Sequence, residues 1–204
     1  MSVILSRRRN LRLPEYDYSQ PGMYFITVCV KEKAYLLGKI IGLEAYPNKL
    51  GDLVKTCWLE IPDHYPSVTL DAFVVMPNHI HGIIYVGAGS PRPSGSLRPS
   101  ESAKPPYRPT LGNIMGYFKY QSTQRINELR QTPRTSFWQR NYFEHVIRDD
   151  NSLHRIREYI MTNPQRWELD RNNPLARGSD EFDRWLAGIK SRPPVSKNPK
   201  IRDR

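Results

Sequence analysis

The chain has 204 residues, enough for one domain with a sizeable core plus tails, and 31 Lys and Arg against 20 Asp and Glu give it a formal charge of +11. That balance selects a polyanionic partner, nucleic acid before an anionic membrane surface. No apolar run approaches the roughly 20 residues that cross a bilayer, the N-terminal order of apolar patch before Arg7-Arg8-Arg9 is the reverse of a secretory signal, and two cysteines in apolar patterns, Cys29 and Cys57, make no disulfide framework.

Residues 1–21 read as a basic arm in which Arg7, Arg8 and Arg9 are candidate phosphate contacts. From Gly22, the run Met23 to Val30 is β-branched and aromatic with apolar residues on both faces, the pattern of a central strand. A shorter strand is expected within 35–41. Leu50, Leu53, Val54, Cys57, Trp58 and Ile61 then recur at helical spacing, so an amphipathic helix is predicted. It must lie on a sheet, because its stripe alone does not offset about 1 to 2 kcal/mol of backbone entropy per ordered residue. Runs 68–75 and 79–86 flank the turn dipeptide Pro77-Asn78 and predict a tight hairpin. Residues 87–109 turn to Gly, Ser, Pro, Arg and Lys, a flexible insertion. Thr110 can cap a second helix that carries Leu111, Ile114, Met115, Phe118, Ile126 and Leu129 on one side and the cations Lys119 and Arg125 on the other. A strand over 142–148 follows, with Trp138 before it as a candidate stacking ring and Arg148 at its end as a candidate phosphate contact. Residues 149–152 offer several N-caps for a third helix, packed through Leu153, Ile156 and Ile160 and stopped by Pro164.

The order strand, helix, hairpin, helix, strand, helix predicts an α+β fold. It is a ferredoxin-like antiparallel sheet (βαββαβ) with an added C-terminal helix, and the second hairpin strand lies centrally. One catalytic domain is expected at 22–170, followed by a basic, disordered tail at 171–204.

Chemistry concentrates at His79-Ile80-His81. On a strand, residues i and i+2 share a face about 6.6 Å apart, so two neutral imidazoles aim at one point and can hold a metal ion. On the third helix, Tyr159 and Asn163 stand one turn apart on one edge. A phenol and an amide facing two imidazoles supply a nucleophile, a third ligand and a metal pair, the parts of a phosphoryl-transfer site. Tyr120, with Gln124 four residues on, is the rival nucleophile on spacing alone. His145 has no role assignable from spacing. Two other classes compete: a zinc hydrolase that adds Glu144 or His145 to the His pair, and a non-catalytic binder of hairpin DNA or RNA.

Pro77-Asn78-His79-Ile80-His81, Trp138-Gln139, Glu144-His145-Val146-Ile147-Arg148 and Tyr159-x-x-x-Asn163-Pro164 occur in this order, and from Gly22 to Trp167 the chain resembles the HUH single-tyrosine transposases, in particular the REP-associated tyrosine transposase branch. The resemblance implies cleavage and rejoining of single-stranded DNA, next to a hairpin, through a covalent 5′-phosphotyrosine. It implies Tyr159 as nucleophile and His79, His81 and Asn163 as ligands of Mg²⁺ or Mn²⁺. With the N-terminal order and the lack of a long apolar run, a cytoplasmic, nucleoid-associated monomer or homodimer that does not enter a membrane is expected. The insertion at 87–109 and the basic tails depart from the family pattern.

Overall fold

A computed structural model describes residues 21–87 and 109–190. The expected arm with Arg7, Arg8 and Arg9, nearly all of the insertion and the end of the tail lie outside the described residues. Among these residues no helix is long and apolar enough to cross a membrane.

The main sheet has four antiparallel strands in the order β4-β5-β1-β6, built from β1 (Gly22–Cys29), β4 (Val68–Val75), β5 (His79–Val86) and β6 (Phe143–Ile147). With its crossing helices this is the ferredoxin-like arrangement, and the histidine strand β5 is internal, as expected. The short expected strand is instead half of a small hairpin, β2 (Gly38–Ile41) with β3 (Glu44–Pro47), turned at Gly42 with φ of 61°.

Period-2 alternation assigns the two faces of the sheet different work. Thr27 pairs with His81 and Cys29 with His79, so the odd-numbered residues of β1 and β5 share one face, while Ile80, Gly82 and Ile84 point the other way. The even face is closed by α1 (Lys49–Leu59) and α3 (Leu111–Arg130), with Trp58, Ile114 and Phe118 fully buried against it. A four-residue helix, α2 (Ile61–His64), links α1 to β4. The odd face is closed by α4 (Asp150–Thr162) through Leu153, Ile156 and Ile160, packed on Phe25 and Ile83. The starts of these helices follow from capping chemistry. The Asn48 side-chain Oδ1 accepts from the N–H groups of Leu50 and Gly51, Thr110 and Asn113 form a reciprocal box, and Asp149 is selected from its run of candidates by accepting from Ser152 N at 2.8 Å.

Helix α4 ends at Thr162, ahead of Pro164 as expected, and the chain then tightens into a 3₁₀ segment over Asn163–Leu169, where a proline near the start needs no donor. One expectation is corrected: the tail does not begin at 171. Helix α5 (Glu181–Lys190) docks through buried Phe182 and Leu186, an i, i+4 pair that joins the same cluster as Ile156 and Tyr159.

Gly82 fits the even face for a steric reason, since a Cβ at that position would overlap the indole of Trp58, which lies flat on the sheet and stacks on Phe73 at 4.9 Å. Gly82→Ala is therefore expected to destabilise the fold by about 1 to 3 kcal/mol, read as a lower urea midpoint with an unchanged slope, although the residue follows His81 directly.

Candidate active site

The histidines are sealed in, at 0% and 1% exposure for His79 and His81. Their Nε2 atoms stand 2.9 Å apart, and Asp170 Oδ2 lies 3.5 Å from the first and 3.7 Å from the second. These are the groups among the described residues whose His, Cys or carboxylate ligand atoms converge closely enough for one metal ion.

Their tautomers are set from behind. Asn78, fully buried, spends its amide hydrogens on the carbonyls of Lys33 at 3.0 Å and Asn172 at 2.8 Å, so its Oδ1 must accept from His79 Nδ1 at 2.8 Å. His79 Nε2 is thereby left with a lone pair. His81 Nδ1 meets Thr27 Oγ1 at 2.9 Å, a hydroxyl that can donate or accept. With no cation, Thr27 donates and His81 offers its Nε2–H to His79; with a cation, Thr27 accepts and a second Nε2 lone pair is released. The donor set therefore fits a divalent ion: two imidazoles, a carboxylate held between hydrogen bonds from Asn163 Nδ2 at 2.9 Å and Asn172 N at 2.6 Å, and Asn163 Oδ1, buried without a hydrogen-bond partner.

Electrostatics follows from burial. Desolvation, then the neighbouring His81, pushes His79 from 6.5 down to about 3, with Asp170 pulling the other way. Burial alone would raise the Asp170 carboxyl, but the histidines and the Asn163 amide outweigh it and hold it below the usual carboxylate range. Tyr159 is pushed well up by burial and by Asp170, so it is a neutral phenol at physiological pH.

Tyr159 belongs to this constellation. Its hydroxyl is 3.4 Å from His81 Nε2, Phe182 stacks on its face at 3.7 Å, and Phe25 meets it edge-on at 6.1 Å. A cavity of about 430 Å³, lined by His154, Arg155, Arg166 and Phe182 among others, reaches it from between α4 and α5. Asn163 is fully buried and touches the cluster through Asp170. Asp170 itself had no sequence signal as a ligand; an acidic residue one short segment beyond the Tyr159-to-Asn163 turn was the available hint.

The other candidates separate from the site. Glu144 pairs with Ile26 and faces the even side, away from the histidines. His145 shares their face but stands outside the metal-capable cluster, so the zinc-hydrolase grouping does not assemble. Tyr120, 60% exposed, and Tyr117, stacked on His64 at 3.9 Å, are on α3 across the sheet. Trp138 is buried and donates to Ser122 Oγ at 2.8 Å, which makes it core and not a stacking platform. Lys119 caps the carbonyls of Gln139 and Arg140, Arg125 pairs with Glu60 at 2.7 Å, and Arg148 is exposed after β6. Cys29 and Cys57 are free thiols, and burial pushes Cys29 up to about 11.

No protein-family profile matches the chain. It is 41% identical over 169 residues to an uncharacterized protein of Haemophilus influenzae, covering 81% of this chain and 93% of that one. It is 30% identical over 159 residues to a Haemophilus influenzae protein named as a REP-associated tyrosine transposase, covering 72% of this chain and 73% of the other. The chain belongs to the REP-associated tyrosine transposase family. More distant likenesses among solved structures are a REP-associated tyrosine transposase bound to a REP hairpin (21% identity, TM-score 0.49, 74% of this chain and 73% of that one) and a protein described as a transposase from Deinococcus radiodurans (14%, 0.43, 74% and 95%).

The buried imidazole makes a prediction about acid. The unfolded chain binds a proton at His79 near pH 6.5, whereas the folded, metal-free chain does not until about pH 3. Stability is therefore fully present above 6.5 and falls as pH drops through that window. Thermal melts in chelator from pH 7 to 4 should show it, with a shallower slope for His79→Gln.

Proposed function

We propose that this protein cleaves and rejoins single-stranded DNA beside a hairpin, with Tyr159 as the nucleophile and Mg²⁺ or Mn²⁺ held by His79, His81 and Asp170, with the Asn163 amide alongside. The observation that carries the reading is the phenol of Tyr159 3.4 Å from His81 Nε2 within the His79, His81 and Asp170 cluster. Family membership and the +11 charge support the same substrate.

When bound, the ion neutralises phosphate charge and polarises the scissile phosphodiester. The chain's own groups do the rest. Phe182 and Phe25 fix the Tyr159 ring so that its oxygen faces the cluster. The Tyr159 Oη–P bond forms as the P–O3′ bond breaks. The phenol gives up one proton and the departing 3′-oxygen takes up one, so the step is balanced, and attack by a 3′-hydroxyl reverses it. Because nucleophile and histidines come from one chain, this arrangement acts in cis. The catalytic unit on this reading runs from β1 through α5, since α5 supplies the ring that holds Tyr159.

Incubating the full chain with hairpin-flanked single strands and Mn²⁺ should give a protein–DNA adduct on a denaturing gel, mapped by peptide analysis to Tyr159. Tyr159→Phe keeps the ring and its packing, so we expect stability within about 1 kcal/mol of wild type and no adduct; an adduct surviving in that variant overturns the assignment. Calorimetric titration with Mn²⁺ tests the ligands separately. His79→Ala, His81→Ala and Asp170→Asn should each weaken affinity by more than about tenfold, and unchanged affinity in all three would remove the metal site.

A further inference from the structure

A row of rings leads from the protein surface to the histidines. Trp167, half-buried on the 3₁₀ segment, lies 6.1 Å from the His79 ring with the planes 25° apart. Tyr35, in the β1–β2 connection and 44% exposed, meets Trp167 at 5.6 Å. Neither ring is loose. The Tyr35 hydroxyl donates to Asn173 Oδ1 at 2.5 Å, and Asn173 Nδ2 donates to the Trp167 carbonyl at 2.9 Å. With its hydroxyl engaged and the residue 44% exposed, Tyr35 leaves part of its side chain open to solvent. Lys33, two residues away, sets its ammonium beside this rim, bonded to the Arg171 carbonyl at 2.7 Å.

We propose that Tyr35 and Trp167 form a nucleobase subsite, which takes one unstacked base of the DNA single strand next to the scissile phosphate. The inference rests on the reading of Tyr159 and the histidines as a DNA-cleaving site. Several observations select a base over an apolar peptide. The rings are presented edge to face and held in place, so stacking costs little ordering entropy. Trp167 stacks on His79 at its inner side, so a base on the exposed Tyr35 ring lies one ring out from the ligand-bearing imidazole, and its strand runs beside the cluster. The Lys33 ammonium, held at the Arg171 carbonyl beside these residues, is suited to the strand's backbone. Stacking reads any base, so the subsite would set the position of cleavage more than its sequence.

The experiment is a protein–DNA double-mutant cycle. The cleavage point is located from the wild-type adduct. Affinity of the full chain is then measured in Mn²⁺ for the intact hairpin-flanked strand and for strands with single abasic sites on either side of that point. In wild type, one abasic position should cost roughly tenfold in affinity. Tyr35→Ala should lose about as much on the intact strand and nothing further on the abasic one, while Tyr35→Phe keeps the ring but not the bond to Asn173, and should lose less than Tyr35→Ala and stay sensitive to the same abasic position; Trp167→Leu should repeat the Tyr35→Ala pattern. Additive losses in Tyr35→Ala, or an equal loss on every strand, would mean that the ring only supports the fold, and the subsite is overturned. Normal adduct formation with no sensitive abasic position also overturns it while leaving the cleavage reading intact. If wild type forms no adduct at all, that reading fails, and the subsite with it.

Discussion

Two imidazoles, shut away from water with a carboxylate against them, are the constraint around which this molecule is arranged. A buried charge without partners is very costly, so His79 stays neutral and Asp170 keeps its charge only inside a cage of hydrogen bonds. Asn78 is the central support of that cage. By bonding Lys33, His79 and Asn172 at once, it ties the β1–β2 connection, the hairpin strand and the segment after α4 to one point. Any arrangement that freed Asn78 would leave two carbonyls and an imidazole nitrogen unpaired in the interior.

The sheet divides labour by parity. Its even face is a packing surface, where Trp58 settles over Gly82 and α3 contributes Phe118 and Ile114. Its odd face carries the polar site as well as an apolar cluster, and both depend on the same register. A slip of one residue in β5 would carry His79 and His81 under α1 and α3. The antiparallel neighbours β4 and β1 on both sides oppose such a slip.

The chain from Asn163 onward contributes more to the site than its short, irregular elements suggest. It brings Asp170 to the histidines, Trp167 over His79, Asn172 and Asn173 to the clamp, and Phe182 onto Tyr159. Ion pairs from Arg155 to Glu181, Arg166 to Asp180 and Arg171 to Asp183 run along this segment. They are partly exposed and individually weak. Their common effect is to orient a wrap whose apolar anchors are Phe182 and Leu186.

Local sequence was sufficient for everything that depends on short-range periodicity and capping. The strand–helix order, the hairpin at Pro77-Asn78, the shared face of His79 and His81 and the one-turn spacing from Tyr159 to Asn163 all follow from short-range spacing along the chain. Tyr159 and Tyr120 both have an amide one turn on, and it is the sheet that separates them, by placing α3 and α4 on opposite faces so that Tyr159, and not Tyr120, lies beside the histidines. Trp138 shows the same limit, since an aromatic beside a strand has no local mark that separates a stacking platform from a core ring, and the Ser122 hydroxyl that buries it is 16 residues away. Asp170 became a partner of the histidines only in three dimensions. Its distance from them along the chain is about 90 residues, no periodicity spans that interval, and convergence of such groups is fixed by packing of the elements between them.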